Sequence, residues 1–367
     1  MSLKVAIIGA GAIAREQHLP AWLDVEGVEV VAVADSSTAS LDALRRGDGI
    51  KQLERYRDRL DIKRLVAEYR PLLDDPAIDV IDVCVPSALH EDVTVAALEA
   101  GKHVICEKPM ATSRQGAARI LAAHARADTK FTVVQNMRVQ GGVKRLRAFL
   151  GPNGLGEVYY ARAQWLRRRL MPARAGFLNK KLSGGGAMYD LGVHAVDLAW
   201  WMMGCPQPVA ASGATFDHLA HRPGMGSEWG QWTADQVDVE DFGAGLIRFA
   251  DGAVLTVEAS WLGFQPAREI WRVQLYGTEA GALWPDNRVV GERDGRPWDV
   301  QLPHGLGAEL GHAEVIADFA RAIREDVPVA VPPHESANVI AMLDAVYRSS
   351  AAGSEQPVEP FPSATVF

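Results

Sequence analysis

A short apolar run at residues 5–8 leads directly into Gly9-Ala10-Gly11-Ala12-Ile13-Ala14. In a G-x-G-x-x-A turn the first glycine permits a tight bend and the second lets backbone approach a pyrophosphate. The small alanine allows the following helix to pack close to the strand. The open N–H groups at that helix start suit phosphate oxygens, which makes Gly9, Gly11, Ala12 and Ile13 candidate contacts for a dinucleotide. A second apolar run, 28–34, ends in Asp35, 24 residues after Gly11, near the spacing of an acid that hydrogen-bonds the adenosine ribose hydroxyls. A carboxylate there repels a 2′-phosphate, and Ser36, Ser37 and Thr38 offer no arginine to receive one, so NAD is favoured over NADP. The other reading of Asp35 is a helix N-cap.

Two further groups carry titratable side chains. Glu107-Lys108-Pro109 follows a strand-like run at 104–106, which places an ammonium at the carboxyl edge of a parallel sheet, where doubly wound folds bind ligands. A buried or cation-flanked lysine titrates nearer neutrality, and the competing reading is a surface lysine at a strand end. Downstream, Ser183-Gly184-Gly185-Gly186-Ala187-Met188-Tyr189-Asp190-Leu191-Gly192-Val193-His194 sets Asp190 and His194 four residues apart, on one face of a helix. Imidazole accepts and donates protons near neutral pH, and a neighbouring carboxylate fixes its tautomer. The pair reads equally as acid/base machinery or as a helix-start carboxylate beside a buried histidine. No third ligand accompanies it, so no metal is assigned. Asp217, His218 and His221 lie in a loop-like stretch, 216–236, where a local Asp-His-x-x-His is more often incidental than metal-binding. A lid or a subunit contact suits that stretch better.

The elements that must carry these groups fall into two series. Over the first 135 residues, apolar runs at 5–8, 28–34, 78–85, 104–106 and 131–134 alternate with helical patterns, which argues for a parallel sheet covered by helices on both faces. Residues 42–75 are charged, and read as exposed helix and loop. Beyond 151, strand-like runs at 158–165, 209–214, 241–249, 253–261 and 272–276 follow one another with few helices between them. They predict a mostly antiparallel sheet in a domain of α+β type. Helices are expected near 190–202, 309–324 and 336–350, and an extended tail from 356. The domains are expected as 1–135 and 136–367, in keeping with a chain of 367 residues.

Composition narrows the partners. The formal net charge is −8, from 38 Lys and Arg against 46 Asp and Glu, so no global basic field favours nucleic acid or an anionic membrane. The apolar stretch 191–203 contains His194 and Asp197 and is too short to cross a bilayer. Three scattered cysteines, Cys84, Cys106 and Cys205, make neither a disulfide framework nor a closed zinc site. With no targeting signal at the amino terminus, they predict a cytoplasmic protein.

Taken together, the amino-terminal fingerprint, Ala100-Gly101-Lys102-His103-Val104-Ile105-Cys106-Glu107-Lys108-Pro109, the run from Gly184 to His194, Val239-Glu240-Asp241-Phe242 and a late helix from Glu309 resemble the glucose-fructose oxidoreductase, inositol dehydrogenase and MocA family of NAD(P)-dependent oxidoreductases. The resemblance implies a Rossmann domain followed by a domain with a large open sheet, the latter commonly the subunit interface of a homodimer or homotetramer. It implies that Lys108 orients the substrate and assists proton movement, that Asp190 positions substrate, and that His194 is the general acid/base. Pro86, Ser87 and His90 match a loop beside the nicotinamide, Glu107 and Lys108 flank it, and Asn136 and Arg138 fall where the chain passes between domains, Asn136 toward cofactor and Arg138 toward substrate. Trp165, Arg167, Arg168 and Arg169 resemble a variant strand end that feeds the active site, where Trp165 and Arg167 would meet substrate. A basic outer strand end is the other reading of the arginines. The reaction implied is hydride transfer between nicotinamide and a secondary alcohol of a small sugar, cyclitol or polyol. Two alternatives stand beside it: a glycosidase that oxidises its sugar transiently with bound NAD, and a non-catalytic NAD-responsive regulator.

Overall fold

The computed structural model describes residues 2–50, 53–56, 62–151, 153–303 and 311–362. The chain divides into two units, residues 1–111, 115–136 and 309–333 forming the first and 112–114, 137–308 and 334–367 the second.

In the first unit, short runs rich in Val, Ile and Ala form β1 (Leu3–Ile8), β2 (Val28–Ala34), β3 (Arg64–Val66), β4 (Val80–Val83), β5 (His103–Cys106) and β6 (Phe131–Val133). Their order is β3-β2-β1-β4-β5-β6, and every neighbouring pair is parallel. Parallel pairing requires crossovers; helices Leu19–Asp24, Thr38–Arg46, His90–Glu99 and Arg114–His124 lie between the strands in sequence. The strand order reverses between β1 and β4, and ligands of such sheets bind at the carboxyl ends beside that switch. This is the Rossmann arrangement that the opening residues imply.

Two expectations are corrected here. Residues 42–75 are not all helix and loop: Arg64–Val66 pairs with β2 as the sheet's edge strand. Three residues flanked by charge are too few to show a strand's alternation. Residues 51–52 and 57–61 of that stretch lie outside the described residues. The second correction is that residues 309–333, expected in the carboxyl-terminal domain, belong to the first unit. The helix His312–Glu325 buries Val315, Ile316, Phe319, Ala320 and Ala322 and packs on the helix Leu19–Asp24. Arg324 donates to the Glu26 carbonyl, Lys130 pairs with Asp326, and the Thr132 hydroxyl donates to the Val331 carbonyl. An amphipathic pattern shows that a helix has a buried face but not which sheet it covers. The expected start at Glu309 lies outside the described residues.

The second unit is built on β7 (Val158–Arg167), β8 (Pro208–Phe216), β9 (Phe242–Phe249), β10 (Val254–Ser260), β11 (Glu269–Gly277), β12 (Ala280–Trp284), β13 (Arg288–Arg293), β14 (Arg296–Gln301) and β15 (Gln356–Pro357). They form one nine-stranded sheet in the order β14-β13-β12-β11-β7-β10-β9-β8-β15, antiparallel except where β7 meets β10. Helix Val193–Met202 packs on β7, β10 and β11. Along helix Pro333–Ala352, Val346 sits close over Gly213 and Gly245, where any side chain would collide with it. Leu198, Val346, Ile247, Leu255, Val257 and Leu275 make a dry core between sheet and helices. Gly281 in β12, Gly291 in β13 and Pro297 in β14 break the alternation that would announce these strands.

Candidate active site

At the mouth of the parallel sheet the two glycines differ in what they answer to. Gly9 has φ +103°, and a Cβ there would stand 2.4 Å from the Cys84 carbonyl oxygen; the bend is forced by the neighbouring strand. A Cβ on Gly11 meets nothing within 4 Å. No protein packing explains that glycine, whereas a ligand's close approach to backbone does. Ala12 and Ile13 are half-buried beyond it. The Asp35 carboxylate accepts from the Ala10 N–H at 2.7 Å and the Ser37 N–H at 2.8 Å. The N-cap of helix Thr38–Arg46 is Ser37, whose hydroxyl accepts from the Ser40 N–H, so Asp35 is not that cap. Glycine bend, bare backbone and an acid at the next strand's end fit a dinucleotide with unphosphorylated ribose. Ser36 and Pro86 are exposed and Ser87 is half-buried.

Behind this edge runs a buried polar chain, of which only Glu107 carries a motif in the sequence. His18 lies 2.9 Å from Asp82 through Nδ1 and 2.8 Å from Glu107 through Nε2, with no exposure of its own. Trp22 donates its indole N–H to Asp82 at 2.7 Å, and His312 lies 3.4 Å from Glu107. Burial, the largest single influence, disfavours the imidazolium of His18, but the Asp82 carboxylate and the neighbouring Cys84 together outweigh it and hold the ring well above its ordinary value. Burial likewise pushes Glu107 up, and hydrogen bonds from His18 and His312 more than offset it, so Glu107 lies well below the usual range. His18 is therefore read as a cation between two carboxylates. The second Glu107 oxygen accepts the backbone N–H of Lys108 at 3.1 Å, which ties the half-buried lysine's main chain to the network. Asn136 is buried, its amide 3.4 Å from the His312 ring. The only signals for His18 and His312 were their residue types, inside helices that read as covering elements.

His90 lies in the 85–90 loop expected beside the cofactor. It is buried, with its ring nitrogens at 2.7 Å from the Pro109 carbonyl and 2.9 Å from that of Val85. It thereby clasps the 85–90 loop to the Lys108-Pro109 turn.

In the second unit, Asp190 lies in a π-helical turn, Met188–Gly192, that runs into helix Val193–Met202, where His194 is the second residue. The glycines before it are explained by protein contacts. A Cβ on Gly185 would strike the Tyr347 hydroxyl at 2.3 Å, and one on Gly186 the Glu240 carbonyl at 1.9 Å. Glu240, in the Val239-Glu240-Asp241-Phe242 run, is buried and accepts from the Gly186 and Met188 N–H groups at 2.9 Å and from the Tyr347 hydroxyl at 2.6 Å. Burial raises its pKa against the opposing pull of these bonds.

Around Asp190 and His194 stand aromatic and charged groups. Trp261 donates its indole N–H to Asp190 at 2.9 Å. The Arg167 guanidinium is 4.0 Å from the same carboxylate and hydrogen-bonds Glu269 at 2.8 Å. Trp165 donates to Glu269 at 2.7 Å, stacks on Trp271 with centroids 4.2 Å apart, and lies 5.5 Å from the His194 ring. Burial acts to raise Glu269, but bonds from Arg167 and Trp165 win and lower it. Trp165 is only 9% exposed.

Arg138, expected to meet substrate, lies deep in the second unit. Its side chain is 1% exposed, paired with Asp197 at 2.6 Å and also with Glu335, so every direction of its fork is spent inside the second unit. His221 is taken up by the carbonyls of Asp217 and Val237. Among the described residues, Asp217, His218 and His221 do not form a metal-like cluster.

A parallel sheet with a dinucleotide cradle, joined in one chain to an acid–histidine pair on a large open sheet, defines an NAD-binding oxidoreductase. Residues 3–135 match the model of the GFO_IDH_MocA oxidoreductase family, NAD-binding Rossmann fold, and residues 143–283 match the GFO/IDH/MocA C-terminal domain. The chain belongs to this family, and NAD is its cofactor. It is 28% identical over 353 residues to a D-glucoside 3-dehydrogenase of Escherichia coli (strain K12), covering 96% of each chain. It is 26% identical to a levoglucosan dehydrogenase of Pseudarthrobacter phenanthrenivorans, over 80% of this chain and 83% of that one. Among solved structures, an oxidoreductase domain protein from Kribbella flavida shares the fold with a TM-score of 0.84 at 23% identity, over 98% of this chain and all of that one.

Two measurements test these assignments. Gly11→Ala should leave the urea midpoint nearly unchanged yet weaken NADH binding, whereas Gly9→Ala should destabilise the fold by about 2 kcal/mol or more; equal effects of the two on stability would refute the distinction. The raised His18 pKa contributes stability that is complete below its ordinary 6.5 and fades as pH rises through the folded value. Glu107 contributes above its ordinary 4.5 and fades as pH falls through its depressed one. The stability gap between the parent and His18→Gln, followed by urea unfolding from about pH 4 to 9, should therefore be widest at mildly acidic pH and narrow toward alkaline pH. A gap that does not vary with pH would exclude the imidazolium.

Proposed function

We propose that this protein is a dehydrogenase that transfers a hydride between NAD and a secondary hydroxyl of a sugar or related polyol, with His194 as general acid/base. The observation that carries this reading is the Asp190–His194 pair on one helix face, walled by Trp165, Trp261 and Trp271 and flanked by Arg167 and Glu269. The fixed charged groups suit the hydroxyls of a sugar, and the buried indoles around them hold them in place. Two similar proteins support it by name, one a D-glucoside 3-dehydrogenase and one a levoglucosan dehydrogenase.

When bound, NAD supplies the ring carbon that takes the hydride. His194 accepts the hydroxyl proton at a ring nitrogen as the C–H bond breaks, and returns it in the reverse direction. Asp190, steadied by the Trp261 indole, accepts a hydrogen bond from a sugar hydroxyl and biases the His194 tautomer. Lys108 lowers the energy of the negative charge that develops on the substrate oxygen. Gly9, Gly11, Ala12, Ile13, Asp35, Ser36, Pro86, Ser87 and Asn136 are assigned to cofactor, with Glu107 positioning the Lys108 main chain.

We further read the protein as a cytoplasmic homodimer or homotetramer that associates through the large sheet. Tyr159 on β7 and Val290 on β13 are 56% and 43% exposed, Cys84, Cys106 and Cys205 are all free thiols, and no described helix is long and apolar enough to cross a membrane.

His194→Ala should lower kcat at least a hundredfold on the true sugar while NADH affinity, followed by fluorescence, changes less than about threefold. Undiminished turnover would sink the assignment. Light scattering at micromolar concentration should give a multiple of the chain mass, and a monomer would remove the assembly.

A further inference from the structure

The stretch 216–236 has no place in the reaction above, yet it brings a ring to the substrate side of the second unit. Trp229 lies over the Arg167 guanidinium at 4.7 Å, and the same guanidinium lies 5.2 Å from the Trp165 ring. Arg167 is thus flanked by two indoles. Of the rings in this cluster, Trp165 and Trp261 are buried and Trp271 half-buried, whereas Trp229 is 48% exposed. The order along the wall is His194, Trp165, Arg167, Trp229, with the free aromatic surface at the far end.

The loop that carries this ring is anchored. The Glu228 N–H donates to the Arg169 carbonyl at 3.0 Å, the Ser227 hydroxyl donates to the same carbonyl at 3.2 Å, and Arg169 Nε donates to the Gly226 carbonyl at 3.1 Å. Arg268 pairs with Glu228 at 2.8 Å, and the Trp229 N–H donates to the Ser227 hydroxyl at 3.1 Å. Gly230, at φ +140°, passes so close to Ala173 that a Cβ would sit 2.8 Å from that side chain. Hydrogen bonds and an ion pair at Gly226, Ser227 and Glu228 before the exposed indole, and the close approach of Gly230 to Ala173 after it, hold it near the end of β7 at little further cost in entropy on binding.

We propose that Trp229, stacked on Arg167, is a recognition platform for the group attached to the reacting sugar, so that the preferred substrate is a glycoside with a ring-shaped aglycone or second sugar. The proposal rests on the dehydrogenase reading. The reacting ring, held at Asp190 and His194, lies beside Trp165; a substituent extending along the wall reaches Arg167 and then Trp229. Arg167 lies between the two indoles, drawn to them by cation–π attraction, with Nε on Glu269 and Nη1 toward Asp190, so it backs the inner face of Trp229 while the outer indole face takes an apolar ring face. Free monosaccharide fills only the inner part.

The test compares phenyl β-D-glucopyranoside with glucose as substrates of the NAD-loaded enzyme. The parent should prefer the phenyl glucoside. Trp229→Ala should reduce the ratio of kcat/KM, phenyl glucoside over glucose, about tenfold, chiefly through KM, and Trp229→Phe should keep it within about threefold of the parent. NADH binding and the circular dichroism spectrum report that each variant is folded. A ratio unchanged in Trp229→Ala, or a Phe variant as poor as the Ala variant, overturns the platform. A fall in molecular mass with the ratio unchanged overturns it too, and makes Trp229 a contact between copies of this chain. If the parent oxidises neither these compounds nor any of a panel of other sugars and glycosides, the dehydrogenase reading itself fails and the platform falls with it.

Discussion

A carboxylate taken out of water must be met by donors on every side, because the desolvation of an unpaired charge costs several kcal/mol. This constraint organises both units. In the first, Glu107 is met by His18, His312 and the Lys108 N–H. In the second, Glu240 is met by two backbone N–H groups and the Tyr347 hydroxyl. Each buried acid fixes the main chain just beside a residue assigned to chemistry. Glu107 does so for Lys108 at the end of β5. Glu240 holds the turn from which Asp190 and His194 project.

The two acids are satisfied differently, and their protonation follows. Glu107 faces a cationic imidazole and stays ionised, with Asp82 on the far side of the same ring. Glu240 faces neutral donors, and burial draws its pKa upward. Both networks therefore depend on pH, with opposite sign: the depressed Glu107 adds stability when it ionises, whereas the raised Glu240 loses stability as it ionises. Arg138 follows the same rule in reverse, a buried cation enclosed by Asp197 and Glu335. Its sequence position suggested a substrate contact, and only the burial of its partners shows where its charge is spent.

The substrate side relies on aromatic packing where the cofactor side relies on backbone. Trp165, Trp261 and Trp271 converge from β7, from the residue after β10 and from β11. Glu269, at the start of β11, holds both the Trp165 indole and Arg167. These residues are about one hundred positions apart along the chain, and only the antiparallel pairing of β7 with β11 places Trp165 opposite Trp271.

Local spacing by itself determined the dinucleotide turn, Asp35 after β2, Lys108 after β5 and the Asp190–His194 pair, because each depends on a strand end or one helical turn. The alternation of strands and helices likewise determined the parallel sheet. Tertiary structure alone decided that the helix His312–Glu325 covers the first sheet, that His18 and His312 close on Glu107, that Glu240 receives the glycine turn, and that Arg138 and His90 are buried among protein partners. The physical reason is range. Backbone geometry over a few residues is written in local sequence, whereas the partner of a buried charge is chosen by packing among residues far apart in the chain, and no period or motif records that choice.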